Sequence, residues 1–156
     1  MKFSVVIFGE EKVAAKFDRM AKDMEDARPA FEKVAEYLME ITETQFDSQG
    51  RRGGGSWKFL TPAWLRYKQL KGYDTRILHK FGILRRSVTR QHAEGQVLHI
   101  KKEEIEFGSE LEYAARHQFG YAQTPARPYL KILRSDEKKI TDIVAKHIMR
   151  AWRKGV

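Results

Sequence analysis

Five histidines, His79, His92, His99, His117 and His147, are the side chains of this sequence best suited to metal binding or to proton transfer near neutral pH. A helical zinc pair needs two of them four residues apart, and a Cys/His site needs thiolates. Neither pattern occurs, because no two histidines have that spacing and the chain has no cysteine. Carboxylate-x-Lys pairs, the arrangement used by many metal-dependent nucleases, stand at Glu10-x-Lys12 and Asp136-x-Lys138. With 33% of the residues charged, such triplets arise by chance. Both also fall at expected helix starts, where the helix dipole favours acids. The loop Ser48-Gln49-Gly50-Arg51-Arg52-Gly53-Gly54-Gly55-Ser56 has the glycines of a phosphate cradle but lacks the following Lys-Ser/Thr, and no dinucleotide-binding glycine pattern lies between a strand and a helix. There is no nucleophile elbow. The residues therefore predict no catalytic group, no metal and no cofactor.

The elements that must position these side chains follow from periodicity. Phe3-Ser4-Val5-Val6-Ile7-Phe8 is β-branched and aromatic and closes on Gly9, which predicts a strand. Val13, Phe17, Met20 and Met24 then mark one stripe of a helix, and after Pro29 a second helix carries Phe31, Val34, Leu38 and Ile41 on one face. The four glycines of residues 48–56 predict a flexible loop with Arg51 and Arg52 at its tip. Thr61 as N-cap, Pro62 in the first turn and Gly72 beyond the end punctuate a short helix, docked by Trp64, Leu65 and Tyr67 with its lysines in water. Gly82 opens a short helix that leads into a strand from about Val88. Gln96–Ile100 and Glu104–Gly108 form a hairpin around Lys101-Lys102-Glu103. Tyr113 to Phe119 is a short helix or turn ended by Gly120. Pro125 to Leu130 is extended, because each proline biases its predecessor away from helix. A last helix from Ser135 carries Ile140, Ile143, Val144, Ile148 and Trp152 on one face, with His147 at its edge. The expected fold is one α+β domain over residues 1–156, a small antiparallel sheet packed against N-terminal and C-terminal amphipathic helices.

The formal charge of +9 asks for an acidic partner, whether nucleic acid, protein or anionic lipid. Most cations are scattered as on a solvated face; Arg85, Arg86 and Arg90 and the tail Arg150, Arg153 and Lys154 are the exceptions. No apolar run approaches the roughly 20 residues of a membrane span, and Met1 to Gly9 is wrongly built for a signal peptide. A soluble protein of a reducing cytosol, without membrane contact, is expected. A basic DNA-binding protein using Arg51, Arg52, Arg85, Arg86 and the tail is the rival reading.

One stretch goes further than composition. Gly108-Ser109, then Tyr113-Ala114-Ala115-Arg116-His117-Gln118-Phe119-Gly120, then Pro125-Ala126-Arg127-Pro128-Tyr129-Leu130 resembles the C-terminal signature of the phage virion morphogenesis, or tail completion, proteins of tailed bacteriophages and prophages. Trp57-x-x-Leu60 with the following Thr-Pro helix is similar to that family's Gly-Trp-x-x-Leu segment. Ile77 to Val88 is similar to its Leu-x-x-Thr-Gly-x-Leu-x-x-Ser-Ile segment, with Phe81 in place of the Thr. Only Tyr121-Ala122-Gln123-Thr124 separates the two signature blocks, where the family often carries a longer insertion. The resemblance, over roughly residues 30 to 150, implies a non-enzymatic subunit acting late in tail assembly, at the head-proximal end of the tail or the head-tail junction. It further implies a homo-oligomeric ring that contacts other tail or neck proteins, with non-specific DNA contact in its lumen, in the virion and, during assembly, in the host cytoplasm. On that reading Arg51, Arg52, Trp57, Arg127, Tyr129 and Leu130 are the expected subunit or partner contacts. Tyr113, His117, Phe119, Gly120, Pro125 and Pro128 are the expected structural motif. The competing role for Pro125 to Leu130 is a staple that fastens the last helix to the sheet.

Overall fold

The computed structural model describes residues 4–6 and 26–154, the side chains of residues 4–6, 151, 152 and 154 excepted. The helix expected over Glu10 to Met24 lies outside the described residues, as does the side chain of Trp152. In chain order the elements are β1 (Ser4–Val6), α1 (Arg28–Asp47), α2 (Pro62–Leu70), α3 (Ile83–Thr89), β2 (Gln96–Ile100), β3 (Glu104–Ser109), α4 (Ala114–Phe119) and α5 (Arg134–Lys154). The result is the expected α+β arrangement. None of the described helices is long and apolar enough to cross a membrane.

The chain forms two compact units, and α1 contributes to both. The first unit comprises residues up to Leu38, Val97–Gly108 and Ile132 onward. Its sheet has the order β1-β3-β2, with β1 parallel to β3 in the register Ser4–Glu104, Val5–Ile105 and Val6–Glu106. β2 and β3 are the expected antiparallel hairpin, and its turn is closed by Lys101 N–H donating to the Glu104 carbonyl at 2.7 Å. Glu106 on the exposed side of β3 meets His99 of β2 at 2.8 Å. The helical stripes read from the sequence are the buried ones: Phe31, Val34 and Leu38 of α1 and Ile140 and Val144 of α5 are excluded from water, with Ile105 and Phe107 of β3. Each such side chain contributes about 1.5–3 kcal/mol relative to exposure.

The start of α5 is held by Asp136, the third residue of the helix. Its carboxylate accepts the Leu133 N–H at 2.7 Å, reaching back to the N-cap as an acid at this position does, and accepts the Tyr37 hydroxyl of α1 at 2.8 Å. Asp136 is thereby a structural acid, which removes Asp136-x-Lys138 from the chemical candidates. His147 sits half-buried at the edge of α5, its Nε2 3.2 Å from the Asp26 carbonyl.

The second unit comprises Met39–Gln96 and Ser109–Lys131, and so contains both blocks of the signature. α1 here buries Ile41, Gln45 and Phe46. α2 has the expected punctuation: Thr61 Oγ accepts the Trp64 N–H at 3.3 Å, Pro62 opens the helix and Gly72 has a positive φ. Two expectations fail. Val88 is not the start of a strand; it is a fully buried residue of α3, and the next strand begins only at Gln96. The tertiary core overrides the β-branched propensity of Val88. On α2 the docking side is inverted, because Trp64 and Tyr67 are exposed and stack on one another at 4.9 Å while Lys68 is buried.

Candidate functional site

Within the second unit the signature forms one hydrogen-bonded body, built outward from Gln118. This buried amide accepts the N–H groups of Tyr129 and Leu130, both at 3.0 Å, and donates to the Leu130 carbonyl at 2.9 Å. The end of the Pro-Ala-Arg-Pro segment is thus paired as if to a strand, by one side chain. Two residues back, the Pro128 carbonyl accepts from Gln45 Nε2 at 2.9 Å and Trp57 Nε1 at 3.0 Å. Arg127 N–H donates to the His117 carbonyl at 2.7 Å, and its guanidinium donates to the carbonyls of Lys58 and Phe59 at 2.9 and 3.3 Å. Gly120 lets the two blocks cross: it has φ +78°, and a Cβ there would lie 2.9 Å from the Ala126 nitrogen. The short connection Tyr121 to Thr124 closes as a tight turn with paired hydrogen bonds between its ends.

This geometry reassigns several expected roles. Trp57, Arg127, Tyr129 and Leu130, read as partner contacts, are all buried within the monomer. Phe46 meets Trp57 edge-on at 5.4 Å and Tyr129 at 6.0 Å, and burial pushes the Tyr129 phenol up to about 12. Apolar and aromatic side chains beside a Pro-fixed backbone fill a core as readily as an interface. Pro125 to Leu130 is accordingly a staple, but it fastens α4 and the Trp57 segment to the second half of α1. Conversely Tyr113 and Phe119, read as structural, are exposed, Phe119 to 57%.

The glycine loop is closed at its base. Gly50, with φ +84°, leaves no room for a Cβ, which would sit 2.4 Å from the Trp57 ring, and Trp57 N–H donates to the Gln49 carbonyl. Arg52 reaches the Lys131 carbonyl at 2.8 Å, while Arg51 and residues 53–56 are exposed. Arg85 is not part of an open basic patch, since it grips Glu43 and Asp47 of α1.

Beside the staple lies a cleft of about 380 Å³, lined by Leu60, Trp64, Lys68, Leu78, His79, Lys80, Phe81, Gly82, Ile83, Leu84, Tyr113, His117 and Arg127. Lys68 is only 2% exposed, and its ammonium donates to the carbonyls of Arg76 and His79, both at 2.8 Å. It thereby ties the loop after Gly72 to α2, and burial lowers its basicity. His79 Nδ1 approaches Asp74 at 2.9 Å without a hydrogen-bonding angle, and its Nε2 faces Arg76 at 3.4 Å. With Asp74 also held by Arg76, this cluster is an internal ion network rather than an acid–base pair aimed at the cleft. His117 packs its ring edge-on to Tyr113 at 5.9 Å. Its Nδ1 is buried with no hydrogen-bond partner. Burial first, and the nearby Arg127 second, hold its pKa below the usual histidine value. Among the described residues no three His, Asp or Glu side chains gather as metal ligands.

The second unit exposes many aromatic side chains, of which Trp64, Phe81 and Tyr113 line the cleft. Met149 apart, the large apolar side chains left exposed among the described residues are Phe59, Trp64, Tyr67, Leu70, Phe81, Tyr113, Phe119 and Tyr121, all in the second unit. Lys80 Nζ lies 4.8, 5.0 and 5.9 Å from the ring centres of Tyr73, Phe81 and Tyr67, and the Arg116 guanidinium lies 5.5 Å from that of Tyr121. Sequence reading missed Gln118, Gln45 and Lys68. Gln118 alone had a signal, its place between His117 and Phe119 inside the motif.

The family model of the phage virion morphogenesis family matches residues 9–149 of this chain. The chain is 31% identical over 130 residues to the putative capsid assembly protein G of Escherichia phage Mu, covering 77% of this chain and 78% of that protein. It is 27% identical over 143 residues to the Mu-like prophage FluMu G protein 1 of Haemophilus influenzae, covering 90% and 92% respectively. No solved structure matches. The chain belongs to the phage virion morphogenesis family, whose members serve the assembly of bacteriophage and prophage particles.

Proposed function

We propose that the chain is a non-enzymatic structural subunit that completes the phage tail or joins it to the head, and that it works as a homo-oligomeric ring at the head-proximal end of the tail. The observation that carries this reading is an aromatic run on the second unit, in which Trp64 stacks on Tyr67 at 4.9 Å and Tyr73 links Tyr67, at 6.1 Å, to Phe81, at 5.3 Å, with Trp64, Tyr67 and Phe81 exposed. Contiguous exposed apolar surface of this kind marks protein contacts. The cleft gathers no nucleophile with a base: His79 is engaged by Asp74 and Arg76, and His117 faces a guanidinium and a phenol ring. Arg51 and the exposed glycines of residues 53–56 supply an arm that orders on a neighbouring subunit.

Sizing chromatography with negative-stain imaging tests the ring, and an assembly extract lacking the protein tests its place in the pathway. Ring-sized oligomers and restored joining of heads to tails are expected. A chain that stays monomeric and never joins a tail overturns the reading. The DNA-binding alternative predicts tight duplex binding that weakens steeply with salt; the engagement of Arg85 by two carboxylates weighs against it.

A further inference from the structure

The cleft has a one-sided charge. Its ionisable lining groups include Lys68, His79, Lys80, His117 and Arg127, and no carboxylate. Lys68 and Arg127 are 2% and 8% exposed, yet their hydrogen bonds go to backbone carbonyls and neither has an ion-pair partner among the described residues. Buried charges are ordinarily matched by an opposite charge. The carboxylate of Asp74, whose field reaches Lys68, is itself held by Arg76 and His79. Arg127 uses its Nε and one Nη on the carbonyls, which leaves guanidinium donors over, and the buried Nδ1 of His117 is unmet beside it. The apolar wall is made by Leu60, Leu78 and Leu84, with Trp64 and Phe81 at the mouth.

Taking the chain as an assembly subunit, as above, we propose that this cleft docks a short extended segment of another virion protein in which an Asp or Glu stands beside a large apolar residue. The carboxylate meets Arg127 and His117 and supplies the missing counter-charge; the apolar side chain fills the leucine wall under Trp64 and Phe81. A volume of about 380 Å³ suits a side chain and its neighbour rather than a helix, at the small end of the roughly 300–1,000 Å³ of ligand clefts. Single-stranded nucleic acid also combines rings with cations, but it needs a charged groove that follows the backbone. Here Lys80 is the only exposed cation of the lining, Lys68 and Arg127 being buried and tied to backbone carbonyls, so no charged groove runs along the surface.

The test titrates isotope-labelled protein at about 0.15 M salt, near physiological ionic strength, with acetylated Glu-Phe-Glu-Leu amide, its Gln-Phe-Gln-Leu and Lys-Phe-Lys-Leu counterparts, and an oligothymidylate. The acidic peptide is expected to move the signals of Trp64, Lys80, Phe81 and His117, with the glutamine peptide at least about tenfold weaker, a difference of about 1.4 kcal/mol. A Lys80→Glu, Phe81→Ser variant, altered only at exposed positions, is expected to lose the response while melting at the parent temperature. Equal response to the acidic and glutamine peptides, preference for the oligothymidylate, shifts mapping elsewhere, or no binding each overturns the proposal. Rings without peptide binding would sink the cleft alone. Peptide binding by a chain that remains monomeric would sink the ring alone.

Discussion

Gln118 is the residue on which the signature turns. Its amide satisfies three backbone groups of Tyr129 and Leu130 in a buried setting, and leaving one such group unmet costs about 1–3 kcal/mol. Gln118→Leu keeps the approximate volume and removes all three bonds, so a loss of about 3 kcal/mol or more is expected in urea unfolding. A loss below about 1 kcal/mol would show that the amide is dispensable. Gly120→Ala adds a strained positive φ and a collision with the Ala126 backbone, with an expected loss of about 1–3 kcal/mol. His117 and His79 make stability depend on pH. Both hold their protons less tightly folded than unfolded, chiefly through burial, opposed at His79 by Asp74 and reinforced at His117 by Arg127. Their contribution is complete above about pH 6.5, the unfolded value, and falls as pH drops through the lower folded values. The apparent stability therefore declines below about pH 6.5, before the lowered carboxylates of Asp74 and Glu43 begin to protonate. His117→Gln flattens that decline; an unchanged profile from pH 7 to 5 in the variant would refute it.

At the scale of elements, α2 is organised by a lysine rather than by its aromatic residues. Lys68 fastens the loop through Arg76 and His79, and Trp64 and Tyr67 stay exposed, Trp64 at the mouth of the cleft and Tyr67 stacked on it. Lys68→Met removes a buried charge but orphans two carbonyls. Local opening of residues 72–80, read as loss of amide-exchange protection there, is expected to exceed any change in α5. Uniform loss of protection would show that α2 and its loop do not open as a local unit. The inversion was not visible in the sequence, because a helical wheel treats lysine as solvent-facing and cannot see carbonyls lacking partners in a later loop. The helices α1 and α5 were legible for the opposite reason. Phe31, Val34, Leu38, Ile140 and Val144 repeat at three and four residues, and that period alone selects the buried side.

For the whole molecule, the charge of +9 acts on association rather than on fold. If the partner's docking segment is acidic, encounter slows with salt while the apolar contact does not. The association rate with tails in an assembly extract is expected to fall severalfold between low and physiological ionic strength, with a smaller change in dissociation. A rate indifferent to salt would mean the charge serves another purpose.

What the sequence by itself determined is the class of the protein and most of its elements. The ordered motifs around Tyr113 to Leu130 identify the family, and local periodicity, caps and glycines place α1, α2, α5 and the hairpin, because those signals depend only on near neighbours in the chain. Which motif residues face inward was decided by tertiary structure alone. Trp57, Arg127 and Tyr129 went to the core and Phe81, Phe119 and Tyr113 to the surface, and an aromatic or an arginine is chemically suited to either place. The choice rests on hydrogen bonds formed across many intervening residues, from Gln45 and Trp57 to Pro128 and from Arg127 to Lys58, which no local pattern encodes.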